Sequence, residues 1–448
     1  MNFNPKKRTV VGILAMILSV FPSSLKADTF PSVWSLEESI ERAFRESTTL
    51  KSSQLAVEGA EFKQKQALAG FFPKLSTQYR YTYLNTTPTM TIPPLANGII
   101  PETKLVAGTN NNYYFNVTIE QPLFTGMALT RTYELAKLGL DVSKIKLEED
   151  RLALAYKVKE AYWGILRSEK MKSVAEQSVV QIADHVRVAQ DFYNVGVIPL
   201  NDLLKAEVQL ADAKQNLVRA ENSLALAKSN FNTVLRIPLE GDTEVRDILQ
   251  YHPFPRTLSE CQGEAAQKRP EIREIETQIQ MARKNVQLAE SEYYPQFALQ
   301  TQYKKEGDNP AVSGSPFVDS DSWAIMAVMR WNFWEWGKTR YLVQERKRGE
   351  EQVKESLVQI KDMIRLEVKE AFLYLRDSEK NIQVAEKTIQ QAEENFRINQ
   401  VRYREQVTTS LEVLDAQTLL AQAKNNYYQA LYVYNLAHSR LVRAMGYW

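Results

Sequence analysis

Apolar and polar positions alternate with a period of two in four stretches of the chain. Tyr79, Tyr81 and Tyr83 alternate with Gln78, Arg80 and Thr82; Phe115, Val117 and Ile119 alternate with Asn116, Thr118 and Glu120. Later, Phe297, Leu299 and Tyr303 alternate with Ala298, Gln300 and Gln302. Ile325, Ala327, Met329, Trp331 and Phe333 then alternate with Met326, Val328, Arg330 and Asn332. A period of two predicts strands. Strands of about 9–11 residues, apolar on one face only, suit a membrane β-barrel. Tyr113, Tyr114, Phe124, Trp323, Trp331, Trp334 and Trp336 crowd the strand ends, where an interfacial girdle belongs. A soluble two-sheet sandwich is the other architecture that such alternation allows.

Elsewhere the pattern is helical. Ser35-Leu36-Glu37-Glu38 reads as an N-cap with acids in the first turn, opening a helical pair that stops at Phe71-Phe72-Pro73. A second pair opens at Leu258-Ser259-Glu260, is broken at Arg269-Pro270 and stops at Tyr293-Tyr294-Pro295. After each strand pair comes a long proline-free stretch rich in Ala, Leu, Glu, Lys and Gln, from about Ala128 to Val195 and from about Lys338 to Gln406. Each predicts a helix roughly 100 Å long at about 1.5 Å per residue. Shorter return helices follow, Asp202 to about Leu235 and Glu412 to about Met445. Residues 86–112 (Pro88, Pro93, Pro94, Gly98, Pro101) and 304–322 (Gly307, Pro310, Gly314, Pro316) read as exposed loops.

The two halves repeat each other. Val158-Lys159-Glu160-Ala161 returns as Val368-Lys369-Glu370-Ala371, and Ser168-Glu169-Lys170 as Ser378-Glu379-Lys380. Tyr193, Leu204, Ala206, Ala213-Lys214 and Ala227 return as Tyr403, Leu414, Ala416, Ala423-Lys424 and Ala437. A period of about 210 residues lies far outside those of solenoids. The expected organisation is a signal peptide over 1–27, a first repeat over 28–236, a linker over 237–257 and a second repeat over 258–448. Ile237-Pro238, Gly241, Pro253 and Pro255 mark the linker.

Composition narrows the function. Lys6-Lys7-Arg8, the apolar run Val10 to Val20 and Ser24-Leu25-Lys26-Ala27 read as a cleaved secretory signal, too short for a comfortable spanning helix. Its four basic residues leave a mature net charge of about −2 in place of +2. Nothing in this near-balance points to a nucleic-acid partner. Cys261 is the only cysteine, so no internal disulfide forms. The histidines (His185, His252, His438) are scattered, and HExxH, GxSxG, P-loop and GxGxxG patterns are missing. No catalytic residue, metal site or cofactor is expected.

Four membrane strands cannot stand alone, because a sheet edge left bare in lipid strands its N–H and C=O groups. Two chains would close eight strands with little lumen, and three would close twelve. The long amphipathic helices likewise need neighbours to cover their apolar stripes. A barrel at one end and a helical tube at the other make a duct.

At this point the chain resembles the outer-membrane efflux protein (TolC-like) family. The resemblance runs from about Ser35 to Met445. It rests on the doubled order of elements and on Gln121-Pro122-Leu123-Phe124-x-Gly126, Tyr193-Asn194-Val195-Gly196-Val197 and Glu412-Val413-Leu414-Asp415-Ala416. It implies an α+β membrane protein: a homotrimer whose 12-stranded β-barrel, four strands per chain, sits in outer-membrane lipid and continues into a periplasmic α-helical barrel. It implies a passive exit duct for efflux or type I secretion. The expected partners are a periplasmic adaptor and an inner-membrane RND or ABC transporter.

The turns between long and return helices should form the periplasmic tip. Gly196 suits a C-cap with positive φ, and Asn201 and Ser410 suit N-caps. Glu412 and Asp415 share a helix face. The resemblance places them at the pore constriction, although two acids would suit any helix N-terminus. It also implies gate contacts at Tyr403, Asp202 and Thr408, with Thr408 standing where the family carries arginine. It gives Val195, Gly196 and Val197 to adaptor docking. Gly196 against Gln406, and Lys205 against Asp415, suggest tips that are not equivalent. A periplasmic coiled-coil adaptor or an envelope stalk would share the long hairpins; neither explains the four strands.

Overall fold

The computed structural model describes residues 33–94 and 101–448. The expected signal peptide and Gly98 lie outside the described residues. The first half runs α1 (Leu36–Glu46), α2 (Thr48–Ala69), β1 (Lys74–Tyr83), β2 (Thr89–Ile92), β3 (Thr103–Val106), β4 (Asn111–Phe124), α3 (Ala128–Asn194) and α4 (Leu200–Leu235). The second runs α5 (Leu258–Lys268), α6 (Pro270–Glu290), a 3-10 turn, β5 (Gln296–Gly307), β6 (Asp321–Arg330), α7 (Lys338–Arg404) and α8 (Ser410–Ala444). The order recurs as expected, with one addition. The segment read as a plain loop, 86–112, carries the antiparallel hairpin β2–β3, pairing Met90 with Leu105.

The main sheet has the order β1-β4-β5-β6, antiparallel throughout. Its register sorts the side chains into two faces. Gln78, Asn116 and Lys304 fall in one row, with Ser76, Thr118 and Gln302 in the next. The opposite face carries Val117, Tyr303 and Trp323 in one row, and Leu75, Ile119 and Ile325 in the next. A one-residue slip would exchange the faces, so the alternation fixes the register. β6 stops at Arg330. Trp331 and Phe333, expected inside the strand, lie beyond it in the passage to α7.

α3 and α7 each span 67 residues, roughly 100 Å. α3 packs on α4 and α7 on α8, as two antiparallel hairpins. Buried positions recur every three or four residues: Ala155, Val158, Tyr162 and Ile165 on α3, and Val368, Ala371, Leu375 and Ser378 on α7. The main core lies where α1, α5 and the 237–257 segment wrap these hairpins, around Tyr162, Phe231, Leu375, Tyr434 and Cys261. There Trp34 forms a parallel bridge with Val245, and the Tyr162 hydroxyl donates to the carbonyls of Arg246 at 2.8 Å and Trp34 at 3.1 Å. Among the described residues no helix is long and apolar enough to cross a membrane.

The repeat extends to the backbone. Left-handed conformations occur at 126 and 336, 127 and 337, 196 and 406, and 236 and 446, and each pair holds one glycine and one other residue. At Gly126 the glycine is obligatory: a Cβ there would stand 2.5 Å from the Ser291 carbonyl oxygen. Each half therefore makes the same two-residue left-handed entry into its long helix, carried on Gly126-Met127 in one and Trp336-Gly337 in the other.

Candidate functional site

The two helical turns at the far end of the hairpins share one backbone. At the first, Gly196 N–H donates to the Tyr193 carbonyl (2.9 Å) and Val197 N–H to the Phe192 carbonyl (2.9 Å). At the second, Gln406 N–H donates to Tyr403 (3.0 Å) and Val407 N–H to Arg402 (2.8 Å). Both are Schellman closures that satisfy the last free carbonyls of a helix. Gly196 has φ +78, as its identity predicts, and Gln406 adopts φ +58 without being glycine. The return helices start slightly earlier than expected. Pro199 and Thr409 occupy the N-cap positions, placing Asn201 inside α4 and Ser410 as the first residue of α8.

Ser410 is free of capping duty because its hydroxyl meets His185 Nε2 at 2.7 Å, in a buried contact between α8 and α3. The His185 ring lies 4.7 Å from the Tyr403 ring, and the Phe192 ring, also tilted against it, lies 5.5 Å away. Tyr403 is 4% exposed and His185 7%. Burial pushes the His185 ring down to about 4, against a small opposing pull from Asp184, so it is neutral at ordinary pH. Burial also raises the Tyr403 hydroxyl, which has no hydrogen-bond partner among the described residues. Ser410 lies near enough to temper that rise, while its own hydrogen bond goes to His185.

Of the expected gate residues, Tyr403 therefore sits in the contact between hairpins. Asp202 reaches Tyr403 only through its charge and pairs instead with Lys205 at 3.5 Å. Thr408 is half-buried and makes no side-chain hydrogen bond among the described residues. A guanidinium does link the hairpins, from another position: Arg404 at the end of α7 stands 3.6 Å from Asp184 on α3, which also holds Arg187 at 2.6 Å. The sequence reading missed His185, Phe192 and Arg404. Their partners are far away in the chain, and no local motif marks them.

Glu412 and Asp415 are exposed on one face of α8, while Val413, Leu414, Ala416 and Gln417 face inward. The matching face of α4 carries Asp202 and Lys205, an acid and a base. One tip is thus locally neutral and the other doubly negative. At the first turn Val195 is 72% exposed, Val197 is exposed as well, and a Cβ on Gly196 would meet open space.

The doubled fold is matched among known proteins. The outer membrane efflux protein family profile covers residues 39–235 and 262–447. The chain belongs to the outer membrane efflux protein family. Its place is accordingly the outer membrane, as an efflux channel protein that reaches into the periplasm. Solved structures with the same fold include CusC, described for folding and transmembrane channel formation, at TM-score 0.77, 16% identity and 92% coverage of both chains. The CmeC outer membrane channel of Campylobacter jejuni matches at TM-score 0.74 and 14% identity, covering 100% of this chain and 94% of its own. The outer membrane protein VceC of Vibrio cholerae matches at TM-score 0.73 and 16% identity, covering 92% and 96%. A search of the curated proteins finds no match.

Proposed function

We propose that three copies of this chain form the outer-membrane exit duct of a tripartite efflux or type I secretion machine. The channel is passive and opens when its tips dock a periplasmic adaptor coupled to an RND or ABC transporter. The observation that carries this reading is the sheet β1-β4-β5-β6, whose edge strands β1 and β6 have no further strand partner among the described residues. In lipid those edges must pair, and β6 of one copy against β1 of the next closes twelve strands from three chains. The same closure brings three acidic faces of α8 around one axis, where Glu412 and Asp415 form the constriction. Tyr403 holds the gate through its neighbours on α3, with Asp202 and Thr408 alongside. Val195, Gly196 and Val197 meet the adaptor.

Outer-membrane fractions test the assembly. The full chain should run as a heat-modifiable trimer and conduct ions in planar bilayers. A monomer confined to the soluble periplasmic fraction would overturn the reading in favour of an adaptor or stalk.

A further inference from the structure

The passage from β6 to α7 is unlike its counterpart in the first half. Where Gln121 to Thr130 reads QPLFTGMALT, Trp331 to Arg340 reads WNFWEWGKTR. Three of the chain's seven tryptophans and two cations fall in these ten residues. The backbone here carries a cost: Trp336 has φ +52, a conformation that disfavours a bulky side chain by about 1–2 kcal/mol. The indole so displayed is 85% exposed and meets Trp334 edge to face at 5.6 Å. The left-handed step belongs to the repeat, as at Gly126 in the first half. What is particular to this half is that it displays an indole, and a pair of exposed indoles at the end of the sheet points to an occupant.

Beside these rings is a cleft of about 330 Å³ lined by Glu292, Tyr293, Trp331, Glu335, Lys338 and Arg340, among others. Its wall is anchored by Trp331 Nε1, which donates to the Tyr293 carbonyl at 3.2 Å. Lys338 is only loosely held, 3.6 Å from Glu335, and Arg340 has no ion-pair partner among the described residues. The cleft thus sets two cations and two carboxylates beside exposed indoles. It lies where the sheet ends and the helices begin.

We infer that this cleft binds a phospholipid headgroup bearing both a phosphate and a primary amine, of the phosphatidylethanolamine type, in the periplasmic leaflet. Lys338 and Arg340 would take the phosphate, Glu335 and Glu292 the ammonium, and Trp334 and Trp336 would lie at the headgroup level. The inference rests on the barrel reading above, which puts this end of the sheet at the membrane surface. The first half has a cleft of about 380 Å³ at the matching passage, lined by Phe124, Met127, Arg131, Glu290 and Tyr294 among others. It has Thr125, Ala128 and Thr130 at the places of Glu335, Lys338 and Arg340, no indole, and its one arginine is held by Glu134 at 2.8 Å. One headgroup per chain follows.

Native mass spectrometry of the detergent-purified trimer, titrated with phosphatidylethanolamine, phosphatidylglycerol or phosphatidylcholine, tests it. The expected result is saturation at one phosphatidylethanolamine per chain. Affinity should be at least tenfold tighter than for phosphatidylcholine, and free phosphoethanolamine should compete weakly. Lys338→Glu with Arg340→Glu should lower that affinity at least tenfold while leaving a heat-modifiable trimer. Equal binding of the three lipids overturns the inference, as does binding unchanged in the double variant. A double variant that falls apart into monomers also overturns it, because the cleft is then a seam between copies. If the unmodified chain never forms a trimer in lipid, it is the barrel reading that fails.

Discussion

The two tips share a backbone and differ in what surrounds it. Tyr193 and Tyr403 occupy the same step of the same closure, yet Tyr193 is 36% exposed and Tyr403 4%. The difference comes from the neighbouring hairpin. α3 offers His185 and Phe192 to Tyr403, whereas the equivalent positions on α7 hold Asn395 and Arg402. Duplication therefore supplies the turn, and packing outside the repeat decides which tip is held. The second tip is clasped by α3 and carries two acids, Glu412 and Asp415, with no ion-pair partner among the described residues; the first is bare and apolar, and its Asp202 pairs with Lys205.

Breaking the clasp should have the largest effect. Tyr403→Ala removes a buried ring and should destabilise the second tip by about 3–5 kcal/mol. Tyr193→Ala should cost well under about 1 kcal/mol. Hydrogen exchange localised to the two turns reads both. Equal protection losses would mean that the tips are not packed differently. The next effect comes from pH. His185 has an ordinary value near 6.5 when the tip opens and about 4 when closed. Above pH 6.5 the ring is neutral in both states and its contribution is fully present. As pH falls from 6.5 to 4, the open tip takes up a proton that the closed tip refuses, and stability on the order of 3 kcal/mol is lost. Exchange at the second tip, corrected for intrinsic rates, should therefore rise across that window. His185→Gln should remove the dependence. The smallest effect separates the turns themselves. Gln406→Gly should stabilise its turn by about 1 kcal/mol and Gly196→Gln should weaken its own by a similar amount, since the space around position 196 is open and only φ matters.

The architecture was legible because it rests on periodicity. Ten-residue alternation and sixty-residue helical stretches are long enough to outvote local noise. The β2–β3 hairpin was not legible: its four-residue strands sit among Pro88, Pro93 and Pro94 and leave no periodic signal. Tyr403 was found by resemblance, but its true partners were hidden. His185 and Ser410 are 225 residues apart and meet only because α8 packs on α3. Ser410 looked like an N-cap by composition, and it is bound sideways across the hairpins instead. Thr408 stands where the resemblance puts an arginine, and the guanidinium that links the hairpins is that of Arg404, from the turn's other side. Its pair with Asp184 is exposed and is worth little by itself, so burial of Tyr403 dominates the clasp.

The proposal most worth testing is that the second tip, with Glu412 and Asp415, forms the acidic constriction and the first tip does not. Single-channel conductance with di- and trivalent cations on the periplasmic side tests it most directly. Glu412→Ala with Asp415→Ala should abolish cation block. Asp202→Ala with Lys205→Ala, the matching pair on α4, should leave block as it was. Block that survives loss of Glu412 and Asp415, or that is lost equally in both variants, would contradict the account.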